Sequence, residues 1–339
     1  MRLKAFTPIR PLQWILFFMK VTVSIIGGIF LLNFSIDPFG TREWLVQKKY
    51  KPAVHERSEK YHTIFGDKNF QNYNCLILGS SRVMSISSDP NTKGERCYNF
   101  GVHVANNPEK LFILEEWLKR APLKSLYLGN ELYTMHAKNR PLYLDTHAFR
   151  GGSEGSYLSI STLLTSLKSS KNALLDEPQT YFKANGTIDY YQNEREIREG
   201  TYDQTAHHFH EMAYGSIQHD YIDTPFEYQK EALQPLREIQ KLCDAHHVAL
   251  YPFITPTYHE TQAAVHAHPK LLAASEHFKR DLVTLFGTVY DFDVNNSYNQ
   301  DPKNFYDVVH YRPSIGKQIF DRFHHNNGYG IVLHTPSTH

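Results

Sequence analysis

Three residues of the chain have the side-chain types that nucleophilic catalysis at a carbonyl group requires. The serine Ser81 follows the short apolar run Cys75–Leu78 and the turn residue Gly79, whereas Asp307 and His310 lie three positions apart near the other end of the chain. A serine hydroxyl needs a general base, and an imidazole base needs an acceptor on its second ring nitrogen. The residue types therefore predict Ser81 as nucleophile, His310 as base and Asp307 as the acceptor that orients the base.

The residues carry two short motifs, Gly79-Ser80-Ser81 and the Asp-x-x-His sequence at 307–310, and each alone is also typical of an ordinary turn. Glycine and serine are common in turns, and with 20 histidines in the chain one Asp-x-x-His sequence has little specificity. The positions of the two motifs in the predicted fold are more specific evidence for a site than their residue types. The serine follows the first strand of the predicted α/β pattern and the Asp-x-x-His sequence follows the last one. In open α/β sheets the ligand crevice lies at the carboxyl ends of the strands, so both motifs are expected at one edge of the sheet.

Short apolar runs alternate with helical patterns, and these predict the elements that position the motifs. The predicted strands are Cys75–Leu78, Cys97–Phe100, Lys124–Leu128, Val248–Ile254 and Thr288–Phe292. The predicted helices are one that begins at Asn107 as its cap, Ser159–Leu175, Phe226–His246, Lys270–Leu285 and Ser314–Phe323. This alternation predicts an α/β fold, a three-layer α/β/α arrangement in which helices cover both faces of a mostly parallel sheet.

The N-terminal region has the properties of a membrane anchor. The run Trp14–Ile36 has 23 apolar-rich residues, which as a helix extend about 34 Å at about 1.5 Å per residue and match a hydrocarbon core about 30 Å thick. Residues 1–20 contain four basic residues and no acidic one, which favours a cytoplasmic N-terminus. No small-residue cleavage site follows the apolar run, so we predict an uncleaved signal anchor of a single-pass inner-membrane protein whose later residues are periplasmic.

The sequence divides into regions of different character. Residues 1–13 are the predicted cytoplasmic N-terminus, 14–36 the membrane helix and 37–70 a polar and aromatic connector. Residues 71–339 form the predicted α/β domain. Within it, residues 150–225 interrupt the strand–helix rhythm with a stretch rich in Tyr, Asn, Gln and His. We interpret that stretch as an insertion that forms a lid.

Composition excludes several classes of protein. The 339 residues include 36 basic and 35 acidic ones, a balance unlike that of a general nucleic-acid-binding protein. Three cysteines exclude a disulfide-rich scaffold and a four-cysteine zinc site. Cys75 and Cys97 begin neighbouring strands and could pair in an oxidising compartment, although buried free thiols are the default expectation. His207 and His210 suit one helical face, but no further ligand completes a metal site, so neither metal nor cofactor is predicted.

Taken together, the motifs resemble the SGNH (GDSL-like) hydrolase superfamily over about residues 71–325. Gly79-Ser80-Ser81 resembles its first block, with Ser81 at the nucleophile position, and Asn99-Phe100-Gly101-Val102 resembles its second. Asp307 and His310 match its last block. The resemblance implies that the backbone N–H groups of Ser81 and Gly101 stabilise the oxyanion of the tetrahedral intermediate.

The third block of that superfamily is matched less well. Its Gly-x-Asn pattern corresponds to Leu128-Gly129-Asn130-Glu131, which is one residue short. The resemblance implies Asn130 as a third oxyanion donor. Arg82, His103 and Glu131 adjoin the matched positions and are candidate substrate-binding residues.

The chain is similar to the membrane-anchored members of this superfamily, among them teichoic-acid D-alanylation protein D and the alginate O-acetylation proteins. The similarity consists of a basic N-terminus, one membrane helix and the sequence Gly-Ser-Ser-Arg. The similarity implies an extracytoplasmic serine esterase or O-acyltransferase. Its implied substrates are acyl esters of a cell-envelope polysaccharide or glycopolymer, and its implied partner is a membrane-bound O-acyltransferase. An acyl-serine intermediate on Ser81 would be resolved by water or by a sugar hydroxyl.

Two alternatives remain open at this point. A catalytically inactive SGNH-like scaffold or binding subunit of a membrane O-acyltransferase system is favoured by the irregular block around Asn130. The intact set of Ser81, Asp307 and His310 opposes it. An ordinary anchored lipase ranks lower, because residues 150–225 are poorer in apolar residues than a lipid-facing lid requires.

Overall fold

A computed structural model describes residues 11–38, 44–51, 56–66, 68–87, 94–137, 144–150 and 155–335. The chain divides into two compact units. The first, called here the N-terminal unit, consists of Met1–His55 and Gly151–Tyr181. The second, called here the α/β unit, consists of Glu56–Arg150 and Phe182–His339.

The helices and strands of the described residues are as follows. The helices are α1 (Pro11–Ile36), α2 (Glu56–Phe65), α3 (Asn107–Leu118), α4 (His147–Arg150), α5 (Ile160–Leu174), α6 (Tyr191–Glu199), α7 (Ala206–Ile217), α8 (Gln234–Ala245), α9 (His259–His266), α10 (Pro269–Phe286), α11 (Ser297–Gln300) and α12 (Pro313–Arg322). The strands are β1 (Cys75–Leu78), β2 (Cys97–Asn99), β3 (Ser125–Asn130), β4 (Tyr181–Phe182), β5 (Ile188–Asp189), β6 (Ala249–Ile254), β7 (Thr288–Asp291) and β8 (Ile331–His334).

The main sheet of the α/β unit has six strands in the order β2-β1-β3-β6-β7-β8. The first five are parallel to their neighbours, and β8 is antiparallel to β7. The predicted α/β class with a mostly parallel sheet is therefore confirmed. Strand β8 has no counterpart among the predicted strands, because a four-residue edge strand that is half exposed carries too weak an alternation to be distinguished from a loop.

Alternate residues of the central strands enter two separate apolar cores. Leu76 and Leu128 belong to a core on one face of the sheet, whereas Ile77 and Tyr127 belong to a core on the other face. Successive side chains of a strand point to opposite faces, so a strand covered on both faces is apolar throughout. This is why β1 and β3 are recognisable as continuous apolar runs in the sequence.

Helix α3 begins one residue away from the predicted cap. The Oδ1 atom of Asn106 accepts the N–H of Glu109 at 2.9 Å, and a carboxylate oxygen of Glu109 accepts the N–H of Asn106 at 2.9 Å. This reciprocal pair is a capping box. Asn107, the predicted cap, is the first helical residue, and its side-chain amide donates instead to the carbonyl oxygen of Ala232 at 2.8 Å. The prediction of Asn107 as cap was wrong because two adjacent asparagines offer the same capping group.

The two cysteines that begin neighbouring strands form a disulfide. Cys75 of β1 lies opposite Cys97 of β2 in the parallel register, and their sulfur atoms are bonded. The default expectation of free thiols at these positions was therefore wrong, because the register places the two side chains directly side by side. Cys243 in α8 is buried and free.

The N-terminal unit contains the apolar helix α1 and, from the segment interpreted as an insertion, α5. Helix α1 has 26 residues, encloses the predicted span Trp14–Ile36, and is long and apolar enough to cross a membrane. Helix α5 agrees with the predicted helix Ser159–Leu175, with Ser159 as its cap. Residues from Phe182 onward belong to the α/β unit, so the stretch 150–225 is divided between the two units.

Candidate active site

Ser81 lies at the carboxyl end of β1, in a turn that the local sequence determines. After β1, Gly79 and Ser80 lead into one turn of 3-10 helix over Ser81–Val83. A Cβ atom on Gly79 would lie 2.6 Å from a methyl group of Val83, so only glycine allows this close approach. The Ser80 hydroxyl accepts the N–H of Arg82 at 3.2 Å and caps the turn. The main chain thus presents Ser81 at the edge of the sheet.

Asp307 and His310 lie in a loop that its own hydrogen bonds close. Phe305 and Tyr311 are bridged as antiparallel neighbours. Within the loop, one carboxylate oxygen of Asp307 accepts the N–H groups of Val309 at 2.8 Å and of His310 at 2.7 Å. Phe305, Val308 and Tyr311 are buried, and α12 begins immediately afterwards at Pro313. The loop is therefore fixed from both ends, and Asp307 and His310 have a set separation.

The three predicted catalytic side chains form one hydrogen-bonded chain. The Nε2 atom of His310 lies 2.8 Å from the Oγ atom of Ser81, and its Nδ1 atom lies 2.6 Å from the Oδ2 atom of Asp307. Burial alone would raise the pKa of Asp307, but the neighbouring imidazole and the two backbone N–H donors outweigh burial and hold it below its ordinary value. An ionised Asp307 can accept a hydrogen bond from the Nδ1–H group of His310, which keeps the ring proton on Nδ1 and leaves Nε2 free to accept the proton of Ser81.

Two predicted oxyanion donors are already hydrogen-bonded elsewhere. The N–H of Gly101 donates to the side-chain oxygen of Asn99 at 2.8 Å. The side-chain amide of Asn130 donates to the carbonyl oxygens of Leu128 at 2.8 Å and Phe253 at 3.3 Å, and the residue is buried. Neither group is free to bind an oxyanion in this conformation, because Asn99 and the strand carbonyls hold them within the protein.

Another residue of the same loop, Val104, lines the cavity that contains Ser81. Val104 follows Gly101 in the loop after β2, has φ +60°, and is 38% exposed at the cavity that contains Ser81. The described residues provide no hydrogen-bond acceptor for its N–H, nor for the N–H of Ser81. These two N–H groups are the candidate oxyanion donors. Nothing in the sequence signals Val104, since valine rarely adopts a positive φ.

The triad opens into a cavity of about 210 Å³ in the α/β unit. Of the predicted substrate-binding residues, Arg82, His103 and Glu131 all line this cavity. The cavity is also lined by Tyr133 and by Ser216 and Asp220 from the α7 region, three residues that no motif in the sequence marks. The lining therefore combines charged and hydroxyl-bearing residues with apolar ones such as Val104 and Val309.

Arg82 and Glu131 form a charged pair beside Ser81. Glu131 is 3% exposed and accepts a short hydrogen bond from the Ser80 hydroxyl, and the Nε atom of Arg82 lies 3.8 Å from its Oε2 atom. Burial would lower the pKa of Arg82, but the charge of Glu131 and other nearby groups raises it above its ordinary value. The guanidinium group stays charged, and it also borders an adjacent cavity of about 60 Å³ that contains Lys279 and Asp293.

Helix α6 holds the loop that carries His310. Glu194 of α6 accepts two hydrogen bonds from Arg312, at 2.6 Å and 3.0 Å, and one from the Tyr306 hydroxyl at 2.6 Å. Burial would raise the pKa of Glu194, but these donors lower it below its ordinary value. Bidentate arginine–carboxylate pairs fix geometry as well as charge. Glu194 is therefore a positioning residue that residue types alone did not reveal.

The alternative metal site at the histidines is not assembled among the described residues. The Nε2 atom of His207 lies 3.5 Å from Glu211, and the Nδ1 atom of His210 lies 3.3 Å from Glu260. Within the described part of the chain, one group of three residues has metal-ligand atoms close together, and it consists of Cys75, Glu95 and Cys97. The disulfide occupies both sulfur atoms of that group.

Comparison with known proteins does not assign the chain to a family. No protein-family model matches it, and no curated protein matches it at a significant level. Any function assigned to the site therefore has to come from its residues and their geometry.

Proposed function

We propose that the protein is a membrane-anchored serine esterase or O-acyltransferase of the SGNH type, with the three-layer arrangement of that superfamily. The observation that carries this proposal is the hydrogen-bonded chain from Ser81 through His310 to Asp307. Such a chain has a specific chemical use, because it activates a hydroxyl toward a carbonyl carbon.

The reaction has two acyl-transfer steps. His310 accepts the proton of Ser81 at Nε2 while the Oγ atom attacks the ester carbonyl, and the N–H groups of Ser81 and Val104 bind the resulting oxyanion. The carbonyl then re-forms, the bond to the alcohol oxygen breaks, and His310 gives its proton to the departing alcohol. A donor of this kind is typically worth about 3–4 kcal/mol of the barrier.

In the second step an acceptor oxygen replaces the alcohol. His310 removes a proton from water or from a sugar hydroxyl, that oxygen attacks the acyl-serine, and the proton returns to the Oγ atom of Ser81. Water as acceptor makes the protein an esterase, and a sugar hydroxyl makes it a transferase. Charged and hydroxyl-bearing residues, including Arg82 and Glu131, are among those that line the cavity, and they offer polar contacts to a carbohydrate acceptor.

The apolar helix α1 supports the proposed location, and the proposed partner rests on the resemblance to membrane-anchored SGNH proteins. If α1 spans the inner membrane with its basic N-terminus in the cytoplasm, the α/β unit is periplasmic. There it meets acylated cell-envelope polysaccharide or glycopolymer, and a membrane-bound O-acyltransferase is the partner that would supply or share the acyl group.

The proposal is tested by labelling the full-length protein in detergent with a fluorophosphonate probe, which reacts with activated serines. We expect the wild type to be labelled and Ser81→Ala to be unlabelled. Ser80→Ala is the matched control and should still be labelled, because the Ser80 hydroxyl donates to Glu131 and not to His310. Equal labelling of wild type and Ser81→Ala would refute the role of Ser81.

A second candidate function is favoured by one observation. The side-chain amide of Asn130 donates to strand carbonyls and is not available as an oxyanion donor. The absence of this donor favours an SGNH-like scaffold or binding subunit without catalytic activity. Failure of the probe to label the wild type, in protein shown to be folded by circular dichroism, would support that candidate over the enzyme.

A further inference from the structure

Helix α5 has its polar residues on the inside and its apolar residues on the outside. Its buried residues are Thr162, Ser166, Ser169 and Asn172. Its most exposed large residues are Ile160 at 68%, Leu164 at 64%, Leu167 at 50% and Leu174 at 86%. A helix on the surface of a water-soluble domain has the opposite arrangement. Helix–helix contacts within a membrane are instead built from small and hydroxyl-bearing residues, and apolar residues face the lipid.

The polar face of α5 packs on the end of the apolar helix α1. The Ser166 hydroxyl donates to the Oδ1 atom of Asn33 at 2.8 Å, and the Asn33 side-chain amide donates to the carbonyl oxygen of Tyr157 at 2.7 Å. The Tyr157 ring in turn lies 5.8 Å from the ring of Phe34. Asn33 is three residues from the end of α1 at Ile36, which is about 5 Å at about 1.5 Å per residue. Helix α5 is therefore at the depth of the last turn of α1.

Two neighbouring features suit the boundary between lipid and water. Trp44 and Leu45 are exposed at 60% and 72%, and the Trp44 ring lies 5.1 Å from the ring of Phe34 near the end of α1. Tryptophan prefers the membrane interface. On α5 itself, Lys168 and Lys171 are exposed, and their long side chains can reach the headgroups while the helix axis lies lower.

We propose that α5 is an interfacial helix that lies in the same leaflet as the C-terminal end of α1, with Ile160, Leu164 and Leu167 in the hydrocarbon region. Its 15 residues extend about 22 Å at about 1.5 Å per residue, too short to cross a core about 30 Å thick. The occupant of the apolar face is the lipid bilayer. This inference rests on the membrane insertion of α1, which belongs to the proposed function, but not on the acyl-transfer chemistry.

The test measures how deeply individual positions of the full-length protein lie in phosphatidylcholine–phosphatidylglycerol vesicles. Leu164→Cys and Leu167→Cys are spin-labelled in a Cys243→Ala background, since Cys75 and Cys97 form the disulfide. Electron paramagnetic resonance then compares accessibility to oxygen, which concentrates in lipid, with accessibility to a water-soluble nickel chelate. Val23→Cys, at an exposed position of α1, and Glu199→Cys, at an exposed position of the α/β unit, are the references.

We expect the ratio of oxygen accessibility to nickel-chelate accessibility at positions 164 and 167 to be several-fold higher than at position 199. The ratio at position 23 should be high as well. If the labels at 164 and 167 are more accessible to the nickel chelate while the label at 23 is more accessible to oxygen, the inference about α5 is overturned. The membrane insertion of α1 would then still stand. A nickel-favoured label at 23 would overturn the anchor itself, and the inference with it. Labels at 164 and 167 that neither reagent reaches would overturn the lipid assignment and identify a protein as the occupant. Leu174→Cys, at an 86% exposed position, replaces either variant that does not fold.

Discussion

The substitution Asp307→Asn replaces one oxygen at the centre of the proposed triad by an NH₂ group. In the wild type, the Oδ1 atom accepts two backbone N–H groups and the Oδ2 atom faces the Nδ1 atom of His310 at 2.6 Å. An asparagine keeps its oxygen on the two N–H donors, so its NH₂ group takes the position of Oδ2. That NH₂ group can only donate, which forces Nδ1 to be the acceptor and moves the ring proton to Nε2.

This change of tautomer sets the magnitude of the effect. The Nε2 atom lies 2.8 Å from the Ser81 hydroxyl and, once protonated, cannot accept the serine proton. Loss of the base through the wrong tautomer costs roughly 10³–10⁴-fold in rate, which corresponds to about 4–5.5 kcal/mol of barrier. The fold should be little affected, because both backbone N–H groups keep their acceptor. A loss of about 1 kcal/mol in unfolding free energy would lower Tm by only about 2–4 °C.

The assay is the rate of fluorophosphonate labelling of the full-length protein, measured beside Tm by circular dichroism. Asp301→Asn is the matched control, since Asp301 accepts the N–H of Lys303 at 2.9 Å in an exposed turn and has no contact with the triad. We expect wild-type labelling for Asp301→Asn and a loss of three to four decades for Asp307→Asn. Labelling of Asp307→Asn within tenfold of the wild type would refute the assignment of Asp307 as the orienting acceptor.

Two further predictions concern the oxyanion loop and a buried carboxylate. Val104→Gly should keep the fluorophosphonate labelling rate within about twofold, because the backbone N–H is retained. It should also raise the unfolding free energy by up to about 1 kcal/mol, because relief of the left-handed backbone strain exceeds the added entropy of the unfolded chain. A destabilised or unlabelled variant would contradict this prediction. Burial would raise the pKa of Glu116, but hydrogen bonds from Tyr61, Lys119 and Arg120 lower it to about 2. The stabilisation is fully present above the ordinary value near 4.5 and is lost as the pH falls from there toward 2. It amounts to at most about 3 kcal/mol, reduced by solvent screening of the exposed partners. Urea unfolding at pH 3 and pH 7 should show a smaller pH effect in Glu116→Gln than in the wild type, and equal effects would contradict the assignment.

Residue type and position were sufficient to predict the five parallel strands of the main sheet and the proximity of Ser81, Asp307 and His310. Strands β1 and β3 are apolar throughout because the sheet is covered on both faces, and their ends placed Ser81 correctly. The Asp-x-x-His loop lies at the same edge because parallel strands end together. These features follow from hydrophobic patterning and from the alternation of strands with helices, both of which are visible in the sequence.

Which N–H groups are available as candidate oxyanion donors depends on contacts that sequence patterns do not encode. The N–H of Gly101 is engaged because the Asn99 side chain folds back onto it, and Asn130 is engaged because strand carbonyls surround it. The positive φ of Val104 is imposed by the loop and not by valine. Likewise, the periodicity of α5 predicted a helix, but which of its faces is buried depends on its contact with α1.

The contact between His310 and Ser81 joins residues 229 positions apart in the chain. During synthesis Ser81 therefore emerges long before His310, the residue proposed to activate it. A chain that is cut or stalled anywhere between them carries an ordinary alcohol at Ser81, with the reactivity of any other serine. The protein thus cannot acquire its proposed acyl-transfer activity until the chain has been made through His310 and has folded.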